Sequence, residues 1–164
     1  MHELKVVRER RVGYGSCKRF RSSADVYASF REHFAQLDRE HFVVLLLDAK
    51  NGILGFNTVS VGSLTSSLLH PREALNPVVV YNDMVKEQYQ ESELTEEVCE
   101  HIIRYSAAAV ILLHNHPSGD PSPSQEDLHI TKRLRDIGEV LEVRVLDHVI
   151  FGEGKYVSFV DDNY

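Results

Sequence analysis

The stretch "AAAVILLHNHPSGDPSPSQEDLHITKRLRDIG", residues 107–138, combines an apolar strand, a stiff loop and an amphipathic helix. The apolar run ends in two histidines, His114 and His116, and a loop with one glycine and three prolines follows. Ser124 and Asp127 then form a Ser-x-x-Asp start signal for the helix. The stretch therefore predicts a strand that leads into a helix through a loop rich in candidate metal ligands.

The spacing of the histidines predicts a metal site. Residues i and i+2 of a strand face the same side about 6.6 Å apart, so His114 and His116 can direct two imidazoles to one point while Asn115 faces away. Pro117 keeps His116 extended, and the loop can return Asp127 to the same point. Two neutral imidazoles and a carboxylate are three ligands for Zn²⁺, with the fourth tetrahedral position open for water. We expect one zinc ion per chain.

Each part of this pattern also has a simpler interpretation. A His-x-His pair alone is more often a pair of exposed strand residues. Ser124 and Asp127 alone are explained as a helix cap, because a carboxylate is favourable at the positive end of a helix. The combination His-x-His-Pro-x6-Ser-x2-Asp after a buried strand is more demanding, and it favours the metal site.

The remainder of the chain predicts one α/β domain with a mixed sheet flanked by helices. Three-residue and four-residue apolar spacing predicts helices in "SSADVYASFREHFAQL" and in residues 124–138, where Gly138 is the expected C-terminal stop. Apolar runs predict a hairpin and two final strands, at 40–48, 53–62, 140–152 and 155–160.

Residues 70–95 are harder to interpret. Pro71 lies where a helix can begin, because its missing N–H is not needed in the first turn. Residues 76–95 contain a second proline, a short β-branched run and an acidic, Gln-rich patch. We interpret 76–95 as an insertion that is partly helical or mobile and does not join the core.

Composition places limits on the class of protein. The 164 residues fit a single domain of residues 22–164, preceded by a basic N-terminal extension of residues 1–21. The apolar runs are far shorter than the roughly 20 residues that span a bilayer, and no signal peptide is evident, so we expect a cytoplasmic protein without membrane contact. Cys17 and Cys99 have no metal-site or disulfide spacing, and we expect free thiols. The basic extension could contact nucleic acid, although a solvated tail or edge strand explains it better, and the net charge of -7 argues against broad phosphate binding.

Several motifs carry a resemblance to a known family. The segment "HNHPSGDPSPSQED" resembles the JAMM motif of MPN (JAB1) domains, and four further motifs make the chain similar to the RadC family: "LLLDAKNGIL", "SVGSLTSSLLHPREA", "YSAAAVILLHNHPSGDPSPSQED" and "VRVLDHVIFG". The resemblance implies the JAB1/MPN, cytidine deaminase-like fold. It also implies that His114, His116 and Asp127 bind zinc, that Ser124 steadies a developing oxyanion, and that an upstream glutamate holds the zinc-bound water.

The upstream glutamate is best matched by Glu40. It begins the first buried strand directly after the first helix, where the motif's glutamate lies in MPN domains. Glu32 and Glu73 lie on predicted helices and are better explained as solvated residues, with Glu73 the next candidate. His70 and His148 are further candidates near the site, and we interpret both as structural or supporting residues.

These observations predict a zinc-dependent hydrolase that cleaves an amide or isopeptide bond in a peptide or protein. The alternatives are a DNA-repair-associated factor and a non-catalytic interaction domain that retains zinc for stability. The helix-hairpin-helix region that precedes this domain in RadC proteins is not part of the sequence, which weakens the DNA-repair alternative. A base deaminase is excluded, because it needs His-x-Glu and Cys-x-x-Cys motifs that the chain lacks. The sequence predicts no oligomeric state.

Overall fold

A five-stranded mixed sheet with helices on both faces forms the centre of the molecule. The computed structural model describes residues 19–62, 71–86 and 106–164. The strands are β1 (His41–Leu47), β2 (Ile53–Val61), β3 (Ala109–Asn115), β4 (Arg144–Phe151) and β5 (Tyr156–Ser158). The helices are α1 (Ser23–Ala35), α2 (Pro71–Lys86) and α3 (Gln125–Val140). The predicted α/β class with a mixed sheet and a single domain is confirmed.

The strand order is β2-β1-β3-β4-β5. Antiparallel pairs join β1 to β2, β1 to β3 and β4 to β5, whereas β3 and β4 are parallel and are connected through α3. The predicted hairpin is therefore β1 with β2. This order places β3, which carries the two histidines, at the centre of the sheet.

The central strands are buried on both faces, which explains why β1 and β3 read as continuous apolar runs rather than as alternating patterns. One core packs α1 against the sheet through Phe30, Phe34, Val43 and Leu113, among others. The second core packs α2 and α3 against the opposite face, and its buried members include Phe42, Val44, Leu75, Val78, Leu112, Ile130 and Leu134. His114 lies on this second face, at the end of β3.

Residues 76–86 differ from the expectation for the 76–95 segment. They continue α2 through Pro77, and Val78 is buried in the core. The side chain of Asn82 accepts a hydrogen bond from Ala107 N at 2.7 Å and donates one to Ala107 O at 3.1 Å. The prediction of a position outside the core is therefore wrong for this part, because the helix tolerates Pro77 and its apolar face finds the sheet. Residues 87–95 lie outside the described residues.

The C-terminus of α3 also differs from the prediction. The helix runs past Gly138 to Val140, so Gly138 does not end it. Gly138 is instead required by packing, because a Cβ atom there would lie 2.5 Å from the carbonyl oxygen of Val143, at the start of the chain's return to the sheet. The glycine serves a close approach of two backbone segments rather than a helix stop.

Some predictions lie outside the described residues. These include residues 1–18 of the basic extension, both cysteines, His70 and the side chain of Glu73. Within the described ranges, none of the helices combines the length and the apolar character that crossing a membrane requires.

Candidate metal centre

The sheet brings the end of β3 beside the beginning of β1. Phe42 pairs with His114 across the antiparallel β1 and β3 strands, so Glu40, two residues before Phe42, lies at the same edge of the sheet. His116 follows β3 directly and keeps a strand-like bond to β4, because its N–H donates to Phe151 O at 2.9 Å. The loop then leads to α3, whose first turn contains Asp127.

Four side chains meet at this edge. Glu40 Oε1 lies 2.9 Å from His114 Nε2 and 4.0 Å from His116 Nε2. Asp127 approaches from the other side, with Oδ1 3.2 Å from His114 Nδ1 and Oδ2 3.4 Å from His116 Nε2. The imidazole nitrogens and the Glu40 carboxylate form a group whose ligand atoms all lie within 4.8 Å of one another. The structure therefore places Glu40, His114, His116 and Asp127 together.

Asp127 is also half of a capping box. Its Oδ2 accepts hydrogen bonds from Ser124 N at 2.8 Å and from Ser124 Oγ at 2.7 Å, while Asp127 N donates to Ser124 Oγ at 3.1 Å. These bonds satisfy backbone donors of the first helical turn and hold the buried carboxylate in one orientation. The helix-cap interpretation and the metal-ligand interpretation of Asp127 are therefore compatible.

Ser124 lies next to the site, but its hydroxyl is engaged. The hydroxyl proton is donated to Asp127, and a lone pair accepts the Asp127 N–H. An oxyanion would have to compete with this carboxylate for the same proton.

The electrostatics of the site favour a carboxylate between imidazoles. Burial alone would raise the pKa of Asp127, but the neighbouring imidazoles of His114 and His116 hold that pKa well below its ordinary value. In turn the Asp127 contact raises the pKa of His116, against the smaller opposing effect of burial. The site is therefore built to hold positive charge.

One hydrogen bond orients His116. Its Nδ1 lies 2.7 Å from Asp120 O, and a carbonyl oxygen can only accept, so Nδ1 carries the proton. Nε2 is then the nitrogen that faces Glu40 and Asp127, and its lone pair is the one that a metal held between these carboxylates would take. A backbone acceptor on the far nitrogen is the usual way in which proteins orient a metal-binding histidine.

Asn115 positions Glu40 from the opposite face of the sheet. The Asn115 side chain donates to Arg39 O at 2.9 Å and accepts from His41 N at 2.8 Å. It thereby fixes the backbone on both sides of Glu40. The spacing of the two histidines predicts that Asn115 faces away from them but indicates no role for it, because its partners come from a segment more than 70 residues earlier.

His148 lies behind the site as a buried supporting residue. Its ring stacks against His114, with a centroid separation of 5.8 Å and an interplanar angle of 22°. Burial, and then the charge of His114, lower the pKa of His148 to about 3, so the ring is neutral. Glu32 is exposed on α1, on the opposite face of the sheet, as expected for a solvated residue.

The donor set fits a zinc-like cation. Ligands 2.0 to 2.1 Å from a tetrahedral metal lie roughly 3.3 to 3.4 Å apart, and His116 Nε2 and Asp127 Oδ2 are 3.4 Å apart. His114 Nδ1 is buried and lies 3.2 Å from Asp127 Oδ1, but the two atoms are not aligned as a hydrogen bond, so the polar atoms of the cluster are not fully satisfied by one another. Two imidazoles and carboxylates are suitable ligands for a divalent metal, and this part of the prediction is consistent with the structure.

Comparison with known proteins agrees with this geometry. A family model described as a RadC-like JAB domain matches residues 20–84 and 88–164. The match includes most of the segment predicted as an insertion and breaks only at residues 85–87. It also spans every residue of the candidate metal centre.

Curated relatives are similar to most of the chain. UPF0758 proteins of Geotalea uraniireducens, Geobacter sulfurreducens and Syntrophotalea carbinolica are 44%, 46% and 47% identical to this chain over 148, 143 and 143 residues. These matches cover 90%, 87% and 87% of this chain. They cover 54%, 52% and 52% of the relatives, so the chain spans about half the length of the curated relatives that it matches. From the family match and the site together, the chain belongs to the RadC-like JAB domain family.

Proposed function

We propose that the chain is a zinc-dependent hydrolase that cleaves an amide or isopeptide bond in a peptide or protein. The observation that carries the proposal is the meeting of four side chains: Glu40, His114 and His116 form one compact group of possible ligands, and Asp127 lies within 3.4 Å of both histidines. His114, His116 and Asp127 would hold the metal. Three protein ligands leave one position open, as in catalytic rather than structural zinc sites.

The metal would supply Lewis acidity, polarising the scissile carbonyl and lowering the pKa of water to roughly 7. Glu40 is the residue best placed to move the proton. Its side chain is 23% exposed, whereas that of Asp127 is 2% exposed, so Glu40 is the carboxylate that solvent and substrate can reach. We assign it as the general base that takes a proton from the attacking water and passes it to the leaving amine.

Glu40 could instead be a metal ligand, because its carboxylate is nearest to His114 Nε2. The other contacts of the two carboxylates distinguish their roles. Asp127 is buried and fixed by the cap at Ser124, which suits a ligand whose position must not change, whereas the Glu40 carboxylate contacts His114 Nε2 and remains partly exposed to solvent. We therefore retain Asp127 as the ligand and Glu40 as the base.

Ser124 is the proposed donor to the tetrahedral oxyanion. Its hydroxyl would have to turn from Asp127 Oδ2 toward the substrate. Loss of one such donor typically raises a barrier by about 2.7 to 4 kcal/mol. The helix would keep its cap in part, because Ser124 N still donates to Asp127.

A groove on the α1 side of the sheet borders the site at His116, and Glu40, His114 and Asp127 are not among its lining residues. It has a volume of about 660 Å³ and runs between α1 and the ends of β3 and β4. Tyr27, Phe34 and Phe151 provide apolar surface, and Gly119 is also a lining residue. A groove of this kind offers room for residues that flank a scissile bond, and pockets of this size commonly hold ligands.

Metal analysis after purification without a histidine tag tests the proposal. We expect about one zinc per chain, lost in His114→Ala and in Asp127→Asn. Glu40→Gln should keep its zinc and lose roughly two to four orders of magnitude in peptide or isopeptide hydrolysis, the usual contribution of acid-base catalysis. Glu126→Gln is the matched control, because Glu126 is an exposed carboxylate one residue from Asp127.

Different results would contradict different parts of the proposal. A refolded chain that neither contains nor regains zinc would exclude the metal site. Loss of zinc in Glu40→Gln would make Glu40 a ligand and remove the assigned base. Hydrolysis by Glu40→Gln at the wild-type rate would place the base elsewhere, with Glu73 as the next candidate.

A further inference from the structure

His148 is a fully buried polar residue with an unusual set of contacts. It lies on β4, pairs with Leu112 of β3 and has no exposed surface. Its ring is enclosed by Phe42, Phe159 and His114, at centroid separations of 5.5, 4.7 and 5.8 Å. The ring therefore forms the wall directly behind His114.

The other edge of the ring is joined to α3. His148 Nδ1 lies 2.7 Å from Thr131 Oγ1, and Thr131 Oγ1 donates to Asp127 O at 2.6 Å. Thr131 is itself buried, and it lies one helical turn after Asp127. A continuous path of contacts thus runs from β4 through Thr131 to the backbone of Asp127.

These contacts determine the tautomer of His148. A threonine hydroxyl has one proton, and here the carbonyl of Asp127 takes it, because a carbonyl can only accept. Thr131 Oγ1 must then accept from His148, so the proton of the neutral ring is on Nδ1. Nε2 carries a lone pair that is buried and has no partner among the described residues.

A buried acceptor without a partner does not contribute to stability. Phenylalanine would keep the ring contacts and remove the unsatisfied atom, so a histidine is not the residue that packing alone favours at this position. What histidine adds is the Nδ1–H donor to Thr131. That donor joins the strand next to β3 to the helix turn that carries Asp127.

We propose that His148, in its Nδ1–H tautomer, is a positioning residue that acts with Thr131 to hold Asp127 and His114 in the geometry that binds the metal. The proposal rests on the metal site put forward above. Thr131 fixes the backbone of Asp127 on one side of the site, and the face of the His148 ring limits rotation of His114 on the other. Neither residue touches the substrate or the metal.

Cobalt binding to the metal-free chain provides the test, because Co²⁺ takes zinc-like sites and its visible spectrum reports ligand geometry. His148→Phe should fold with at least wild-type stability, yet bind Co²⁺ about 10-fold to 100-fold more weakly and with an altered spectrum, the range typical of lost supporting contacts. Thr131→Val should weaken Co²⁺ binding in the same way, although it also costs stability because the buried Nδ1–H of His148 loses its acceptor. Thr131→Ser should restore wild-type binding. His129→Phe, an exposed histidine of α3, is the matched control.

The NMR signals of the imidazole nitrogens provide a second, metal-independent measurement. They should show the Nδ1–H tautomer for His148 in the metal-free wild-type chain, and Thr131→Val should change it. If His148→Phe folds and binds Co²⁺ with wild-type affinity and spectrum, the positioning role is refuted. If His148→Phe does not fold, the same measurement on Thr131→Val decides: wild-type Co²⁺ affinity and spectrum in that variant would refute the positioning role.

The two proposals fail differently. A wild-type chain that binds neither Co²⁺ nor Zn²⁺ refutes the proposed function, and the positioning role fails with it. A wild-type chain that binds metal, with variants that bind equally well, refutes the positioning role and leaves the proposed function intact. A ring that carries its proton on Nε2 refutes the path through Thr131 even if metal binds.

Discussion

Replacement of His148 by phenylalanine should remove a specific loss of stability in acid. The pKa of His148 is lowered to about 3 in the folded chain, chiefly by burial, whereas an imidazole in the unfolded chain titrates near 6.5. Between these values the unfolded chain binds a proton that the folded chain does not. The stability that depends on neutral His148 is therefore complete above about pH 6.5 and is lost as the pH falls.

The magnitude follows from the two pKa values. Stability should fall by about 1.4 kcal/mol per pH unit below pH 6.5, which amounts to about 2.7 kcal/mol between pH 7.5 and 4.5. The ring is fully buried, so solvent does not screen the effect. His116 acts in the opposite direction. Its raised pKa adds stability that is complete below the unfolded value and is lost as the pH rises through the folded value.

Urea unfolding of the metal-free wild-type and His148→Phe chains, at pH 7.5, 6.5, 5.5 and 4.5, measures this difference. His116 is present in both proteins, so its contribution cancels when one free energy is subtracted from the other. We expect this difference in the free energy of unfolding to shift by about 2 to 3 kcal/mol in favour of the variant between pH 7.5 and 4.5. If the free energies of unfolding of the two proteins changed equally with pH, the reasoning would be refuted, because His148 would then protonate in the folded chain as readily as in the unfolded one.

Four further predictions follow from the same structure. Asn115→Ala should destabilise the chain by about 1 to 3 kcal/mol in urea unfolding, because two part-buried hydrogen bonds to the backbone beside Glu40 are lost. Leu112→Ala should cost about 2 to 5 kcal/mol in the same assay and leave metal stoichiometry unchanged, since Leu112 fills the core below the site. Val78→Asp should prevent folding, because it buries an unpaired charge in the core, and circular dichroism should then show no cooperative thermal transition. If residue 78 lay outside the core, the variant would still fold. Zinc affinity, measured by calorimetry, should fall as the pH drops through the raised pKa of His116, with proton release on binding.

The local patterns predicted the elements of the fold well. The apolar runs of β1 and β3 and the Ser-x-x-Asp cap of α3 each depend on neighbouring residues, so they are visible in the sequence. The path of the chain through Pro77 was not predicted, because the apolar contacts of Val78 with the sheet outweigh the hydrogen bond that proline removes from the helix. Gly138 was misinterpreted for the same reason, since its close neighbour, Val143, is brought there by the turn into β4.

The site shows the same division. His114, His116 and Asp127 share one short segment, and their spacing was enough to predict that they meet. The contributions of Asn115 and Thr131 depend on partners that the sheet and α3 bring near, so spacing could not reveal them. A weak signal was present for Thr131, which lies four residues after Asp127 and hence on the same side of the helix.

The metal centre combines residues from before β1, after β3 and within α3, with β4 behind them. Such a site is complete only when the strands have paired, and the unfolded chain offers a metal little more than the local His-x-His pair. Zinc should therefore act late in folding. We expect the ion to slow unfolding of the chain while the rate of refolding stays nearly the same, because contacts absent from the transition state stabilise only the folded side of the barrier. Retention of the ion should thus report that β1, β3 and α3 are in place, and its release would be an early sign that these elements have begun to separate.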